Sequence, residues 1–186
     1  MIRGGIVALA ALLVVGCTTA PARQEVARPT AWRIASVADV IADPTHKAAA
    51  AAILAYFQDT ERGNRFAAGD DALCIGLGPA SAGPFRFQPL SDLDPQLLEQ
   101  IARMRPNARP VSACATTLKG APYRLEPSGE PARLLACLHA GETAPGTVSM
   151  LCGFYDSAIE TEFVGYDVTV AAEEITVRRN GRRFGT

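Results

Sequence analysis

The chain has 186 residues, of which 48% are hydrophobic and 20% are charged, and its formal net charge is −1. This balance is typical of a single globular domain and excludes a disordered chain. No apolar run reaches the roughly 20 residues of a membrane-spanning helix, and the near-neutral charge gives no reason to expect nucleic acid as a partner.

The N-terminus has the plan of a secretory signal peptide, predicted over 1–16. Arg3 precedes an apolar stretch over 6–15, which is too short to span a bilayer. Residues 14–17, Val-Val-Gly-Cys, resemble the lipobox of bacterial lipoproteins. That resemblance implies cleavage before Cys17, a diacylglyceryl thioether on its sulfur and acylation of the new amino group. The alternative is an ordinary secretory signal followed by Cys17 by chance.

The same resemblance implies a location in the cell. Thr18 stands where an aspartate would retain a lipoprotein at the inner membrane, so it favours the outer membrane, with the protein facing the periplasm. We expect a bacterial envelope protein held to its membrane through Cys17. The stretch 17–36 is predicted as the lipidated cysteine and a flexible tether, and 37–186 as one globular domain.

Two helices and several strands follow in chain order. Asp43-Pro44 predicts a helix start and Gly63 its end, 72–77 is a predicted strand, and 78–89 a loop. Asp94-Pro95 repeats the start signal, with a helically spaced apolar stripe of Leu97, Leu98, Ile101 and Met104, and Arg105-Pro106 predicts the end. Six strands are then predicted, over 111–118, 123–126, 133–139, 147–155, 163–170 and 175–179.

This order predicts an α+β fold in which N-terminal helices pack on a mostly antiparallel β-sheet. The order is also loosely similar to that of NTF2-like domains. No residue motif accompanies the similarity, so it assigns no functional residues.

The domain carries an even number of cysteines, Cys74, Cys114, Cys137 and Cys152. In an oxidising compartment they predict two disulfides, for which three connectivities exist. A hairpin centred between Ala144 and Pro145 places Cys137 opposite Cys152, Leu135 opposite Phe154 and His139 opposite Met150. This register favours a Cys137–Cys152 disulfide, and Cys74–Cys114 follows by elimination.

Catalytic and metal chemistry find little support. There is no CxxC or HxxxH spacing, so no metal or cofactor is expected. With no GxSxG elbow and only His46 and His139 as imidazole bases, the sequence leans away from an enzyme and assigns no catalytic residue. His46 is interpreted as an exposed residue in a first helical turn. Gly76-Leu77-Gly78 lacks the helix that a phosphate loop requires and indicates a turn.

Two groups of residues are candidates for binding. The first could line a pocket on one face of the sheet, although core packing is the default interpretation, and consists of His139, Met150, Phe154 and Tyr166. The second flanks Asn180-Gly181, which predicts a tight hairpin turn, and would either meet an anionic partner or protect an edge strand with charge. Its members are Arg178, Arg179, Arg182 and Arg183.

These features favour a non-catalytic lipoprotein that acts through another envelope protein or a cell-wall component. One alternative is a module that binds a small molecule or lipid in a pocket between helices and sheet. The other is an envelope hydrolase with a dispersed site, using His139 and a carboxylate.

Overall fold

A computed structural model gives the structure of the chain and describes residues 31–59, 71–80, 90–115, 123–155, 161–171 and 174–185. The predicted signal peptide and Cys17 lie outside these ranges. The described part is α+β, with one 3-10 turn, two α-helices and a ten-stranded sheet. The elements are β1 Ala31–Arg33, α1 Pro44–Asp59, β2 Ala72–Pro79, β3 Ser91–Asp92, α2 Pro95–Met104, β4 Ala108–Pro110, the 3-10 turn Val111–Ala113, β5 Cys114–Ala115, β6 Tyr123–Leu125, β7 Pro131–Ala144, β8 Thr147–Tyr155, β9 Thr161–Val170 and β10 Ile175–Gly185.

The sheet is mostly antiparallel, as predicted. Its order is β1-β10-β9-β8-β7-β2-β3, and the strands from β7 to β10 are successive antiparallel neighbours. The parallel pairs are β2 with β7 and β2 with β4. The short strand β6 pairs with both β5 and the beginning of β7. Helices and strands alternate in the first half of the chain, because β1 precedes α1 and both β2 and β3 precede α2.

Helix α1 is buried around its whole circumference. Asp43 accepts a hydrogen bond from the Thr45 backbone N–H at 2.8 Å, which caps the helix start as predicted. Every residue over 48–57 is buried, six of them alanines, and Gln58 is exposed. A helix that is apolar all round must lie inside its domain, and alanine side chains let neighbours approach closely on several sides.

Three parts of the fold surround α1. Its contacts in the sheet are with β7, β8, β9 and β10, and it also packs against α2. On another side Val37 and Ala38 are buried, and Lys47 Nζ donates a hydrogen bond to the Ala38 carbonyl at 2.7 Å. The core therefore forms around α1, and the sheet face turned to it is called the α1 face.

Helix α2 begins and ends where the sequence predicts. Asp94 Oδ1 accepts hydrogen bonds from the backbone N–H groups of Gln96 and Leu97, at 2.9 and 3.3 Å. Leu97 and Ile101 are fully buried, whereas Met104 at the other end of the predicted stripe is 46% exposed. Only part of that stripe therefore belongs to the core.

The predicted tether boundary was wrong. Ala31–Arg33 form strand β1, paired with β10, and Trp32 and Ile34 are buried. Trp32 and Ile34 supply buried apolar area on either side of Arg33, a pattern too short to indicate a strand in the sequence. The folded domain therefore includes residues that the sequence assigned to the tether.

The predicted hairpin turn at Asn180-Gly181 was also wrong. Strand β10 continues through this pair, and its register with β9 shifts between Arg179 and Arg183. Gly181 adopts φ +75°, which accommodates the irregularity. The Asn180 side-chain amide donates to Asp167 Oδ1 at 2.9 Å, so the residue is held along the sheet instead of reversing the chain.

Gly76-Leu77-Gly78 lies within strand β2 and does not form the predicted turn. A Cβ atom at Gly76 would lie 2.9 Å from Leu90 Cβ, and one at Gly78 would lie 2.8 Å from Leu90 Cδ2. The glycines therefore make room for Leu90 on the face opposite α1, which is called the second face.

Nearby, the predicted strand over 111–118 begins with the 3-10 turn instead.

Enlarging a side chain of α1 should destabilise the domain. Ala49 is fully buried, and its carbonyl oxygen lies 3.9 Å from Cys137 Sγ. We expect Ala49→Leu to lower the free energy of unfolding by about 1–3 kcal/mol, because added methyl groups have no space there. Urea unfolding measures the change. Gln58→Leu, an exposed position on the same helix, is the control and should change stability by less than about 0.5 kcal/mol. Equal effects would show that α1 is not enclosed.

Candidate functional site

Three of the four predicted pocket residues lie in one row across the sheet. His139 is paired with Met150, Met150 with Tyr166, and Tyr166 with Arg179. Phe154 lies on the same α1 face, four residues beyond Met150 along β8. The alternation used in the sequence analysis therefore brings these side chains to one face, and it also places Arg179 among them.

A buried ionic cluster stands at the Arg179 end of this row. Tyr166 donates its hydroxyl hydrogen to Asp59 Oδ2 at 3.0 Å, and Arg179 Nη1 lies 3.0 Å from Asp59 Oδ1. The Asp59 side chain is fully buried, and that of Arg179 is 19% exposed. The cluster joins the last residue of α1 to β9 and β10.

Sequence reasoning missed Asp59. A carboxylate in the last turn of a helix is unfavourable, because it adds negative charge to the negative end of the helix dipole. Ten apolar residues precede Gln58 and Asp59, so an acidic residue there requires a compensating partner. That signal indicates a buried cation, but it does not say which of the chain's arginines supplies it.

The electrostatics of the cluster fix the state of Tyr166. Burial raises the pKa of the phenol, and the neighbouring Asp59 carboxylate raises it further. Tyr166 therefore remains a protonated hydrogen-bond donor to Asp59. It is suited to hold α1 against the sheet and not to accept a proton from a substrate.

Three of the four predicted pocket residues are part of the core. Met150, Phe154 and Tyr166 are fully buried, whereas His139 is half-buried. The Tyr56 ring of α1 lies 5.8 Å from that of Phe154, and the Trp32 ring of β1 meets Tyr166 edge-on at 6.1 Å. Side chains from α1 and β1 thus fill the space beside these aromatics.

Both predicted disulfides are present. Cys137 and Cys152 are directly opposed in the β7–β8 hairpin, with Cα atoms 4.1 Å apart, and the predicted hairpin register is confirmed at this pair. Cys74 and Cys114 are bonded with Cα atoms 6.2 Å apart. The first disulfide belongs to the core around α1, and Cys74 belongs to a separate apolar cluster on the second face.

The predicted arginine patch is divided in the described part of the chain. Arg178 is exposed, whereas Arg179, the next residue along β10, lies on the other face and is bound to Asp59. The side chains of Arg182 and Arg183 lie outside the described residues. The ion pair with Asp59 therefore removes one of the four charges from any common surface.

A polar cluster on the second face was not predicted. Ser149 is paired with Asp167 in the β8–β9 register, and Asn180 donates to both, at 3.3 Å to Ser149 Oγ and 2.9 Å to Asp167 Oδ1. Ser149 is buried. In the sequence, the single serine within the apolar run of β8 is only a weak indication of this polar cluster.

His46 has a structural role that differs from its predicted exposure. Its Nδ1 accepts a hydrogen bond from the Asp94 backbone N–H at 2.9 Å. The imidazole thereby joins the first turn of α1 to the capping residue of α2.

Neither metal clusters nor spanning helices appear in the described ranges. Within them, no group of three or more histidine, cysteine, aspartate or glutamate side chains is arranged to hold a metal ion. The helices described there are also too short or too polar to cross a membrane.

Compared with protein-family models, with curated proteins and with solved structures, the chain matches none of them.

Removing the Asp59 carboxylate should strongly destabilise the domain. We expect Asp59→Ala to lower the free energy of unfolding by about 3–5 kcal/mol, because Arg179 loses the partner of a largely buried charge. Denaturant unfolding measures this loss. The control is Glu99→Ala, which removes the exposed ion pair with Arg103 and should cost less than about 0.5 kcal/mol. Similar losses in the two variants would contradict a structural role for the cluster.

Alkaline pH should weaken the Tyr166 contribution. In the unfolded chain tyrosine ionises near pH 10, whereas folded Tyr166 has a raised pKa, so the unfolded state releases its proton first. The stability due to this group is complete below about pH 10 and is lost progressively above it. Urea unfolding from about pH 9 to 11 should show a steeper fall for the wild type than for Tyr166→Phe. Equal slopes for the two proteins would contradict a contribution of Tyr166 to the pH dependence of stability.

Proposed function

We propose that the chain is a lipid-anchored protein of the bacterial cell envelope, on the periplasmic side of the outer membrane. Its domain acts by binding another envelope protein or a cell-wall component, and not by catalysis. The observation that carries the proposal is the combination of the Val-Val-Gly-Cys motif at 14–17 with two disulfides in the folded domain.

The anchor follows from the chemistry of Cys17. A single acyl chain holds a protein only marginally, at about 0.8 kcal/mol per buried methylene, whereas several chains on one residue give stable attachment. A flexible chain as long as 18–30 reaches about 20 Å on average before β1 begins at Ala31. The domain would therefore stay close to the membrane surface.

The disulfides support a location outside the cytoplasm. Such bonds persist in the periplasm and are rare where thiol reductants are abundant. Here one disulfide lies beneath α1 and the other starts from the second face, so both faces of the sheet carry a covalent link. This use of cysteine suits a protein that folds after export.

The described ionisable groups favour binding over catalysis. Asp59, Tyr166 and Arg179 are bonded to one another inside the domain, and His46 Nδ1 is engaged by α2. Each of these groups stabilises the packing of a helix. The domain is thus interpreted as a rigid support that presents its surface to a partner.

We also infer that both helices cover the α1 face of the sheet. The support for this arrangement is that α1 packs on β7 to β10 and that α2 packs on α1 and β4. It would leave the second face, with exposed Arg178 beside Asp167, on the side away from the helices.

Replacing Cys17 should abolish the anchor. In Cys17→Ser the thiol that accepts the diacylglyceryl group is gone, so the variant should carry no acyl chains and should leave the membrane fraction. Mass spectrometry of the purified protein and fractionation of the cells measure these changes. Thr19→Ser, two residues away, is the matched control and should remain acylated.

A wild-type protein whose mass shows no acyl chains would overturn the lipoprotein proposal. So would a wild-type N-terminus other than Cys17.

A further inference from the structure

The two disulfides differ in how far their cysteine residues are buried. Cys137 and Cys152 are both fully buried, and the backbone of α1 lies over Cys137 at Ala49. Cys74 is also fully buried, whereas Cys114 keeps partial exposure to solvent. Of these four described cysteines, Cys114 is the one that is not fully buried.

The disulfides also differ in what they join. Cys137–Cys152 links two central strands that are already paired along their length. Cys74–Cys114 links the interior strand β2 to β5, a two-residue strand whose described partner is β6. A movement at Cys114 therefore displaces β5 and β6, which are called the β5–β6 ribbon. A movement at Cys137 displaces the core.

We propose that Cys74–Cys114 is a site of thiol–disulfide exchange with a dithiol partner, in which Cys114 Sγ is the atom attacked. The disulfide Cys137–Cys152 stays closed in the folded protein. Exchange requires a thiolate to reach one sulfur of the bond, so access decides which disulfide reacts. This proposal goes beyond the proposed function and does not depend on lipidation.

The exchange transfers two electrons. A thiolate of the partner attacks Cys114 Sγ, the Cys74–Cys114 bond breaks, and Cys74 leaves with the bonding electrons and takes up a proton. The partner's second thiol, as its thiolate, then attacks the mixed disulfide and expels Cys114, which is protonated in turn. The partner is oxidised to a disulfide and the protein is reduced to two thiols.

The fold can tolerate this reduction. Asp92 continues to hold the neighbouring Ser112, accepting from its backbone N–H at 2.8 Å and from its hydroxyl at 2.6 Å. The Glu126 backbone N–H donates to the Ala113 carbonyl at 2.8 Å. A free Cys74 thiol remains among apolar neighbours, where thiols pack as small hydrophobic groups. The β5–β6 ribbon thus stays near β2, and the bond can form again.

Reduction of Cys137–Cys152 would require a larger change. Two thiols stand farther apart than two bonded sulfurs, and α1 leaves no room over this pair. This disulfide should react only when the helix separates from the sheet.

Timed reduction tests the proposal on the full chain in detergent micelles. Dithiothreitol is added without denaturant, samples are alkylated with iodoacetamide, and peptides are mapped. Cys74 and Cys114 should become alkylated about 100-fold faster than Cys137 and Cys152. The circular dichroism spectrum should stay unchanged, and oxidised glutathione should restore the bond.

Two matched variants identify the attacked sulfur. Cys74→Ala leaves the Cys114 thiol, which should react with a maleimide at least about tenfold faster than the Cys74 thiol left by Cys114→Ala. If either variant does not fold, the wild-type reduction decides alone. Equal reduction rates for the two disulfides, reduction only with loss of the spectrum, or faster reduction of Cys137–Cys152 would each overturn the proposal.

Discussion

The burial of α1 on all sides is the constraint on which the rest of the structure depends. Burying an apolar helix costs little free energy. The last residue of α1, however, is Asp59, and a buried carboxylate is stable only with hydrogen-bonding or charged partners. Tyr166 and Arg179 meet that need from two adjacent strands, which fixes where α1 ends relative to the sheet. Sheet, second helix and ion cluster therefore form one arrangement around a single helix.

Local patterns were enough to predict much of this fold. The Cys137–Cys152 pairing was predicted from period-two alternation in a short hairpin. The turn is centred one residue later than predicted, and register shifts between His139 and Ala144 restore the predicted pairing at the cysteines. Both helix starts follow from an aspartate followed by proline, a signal contained in two residues. The α+β class follows from the order of elements.

The remainder depends on contacts between residues far apart in the chain. Arg179 is 120 residues from Asp59, so no local pattern reveals their ion pair, and the arginine was instead assigned to a surface patch. Trp32 lies in a three-residue strand, too short for a local pattern to reveal, and this strand pairs with β10 near the other end of the chain. Asn180 carries a strong turn signal that is overridden by hydrogen bonds to β8 and β9. In each case tertiary contacts outweigh local preference.

We propose that this stable domain works at a membrane surface by binding a partner. The most direct test of that claim is a native mass of the protein gently extracted from its own membrane, followed by a denatured mass of the same sample. We predict an additional protein subunit or cell-wall fragment in the native mass. A native mass equal to that of the acylated chain alone would contradict the claim, and a small added molecule lost on denaturation would point to ligand binding instead.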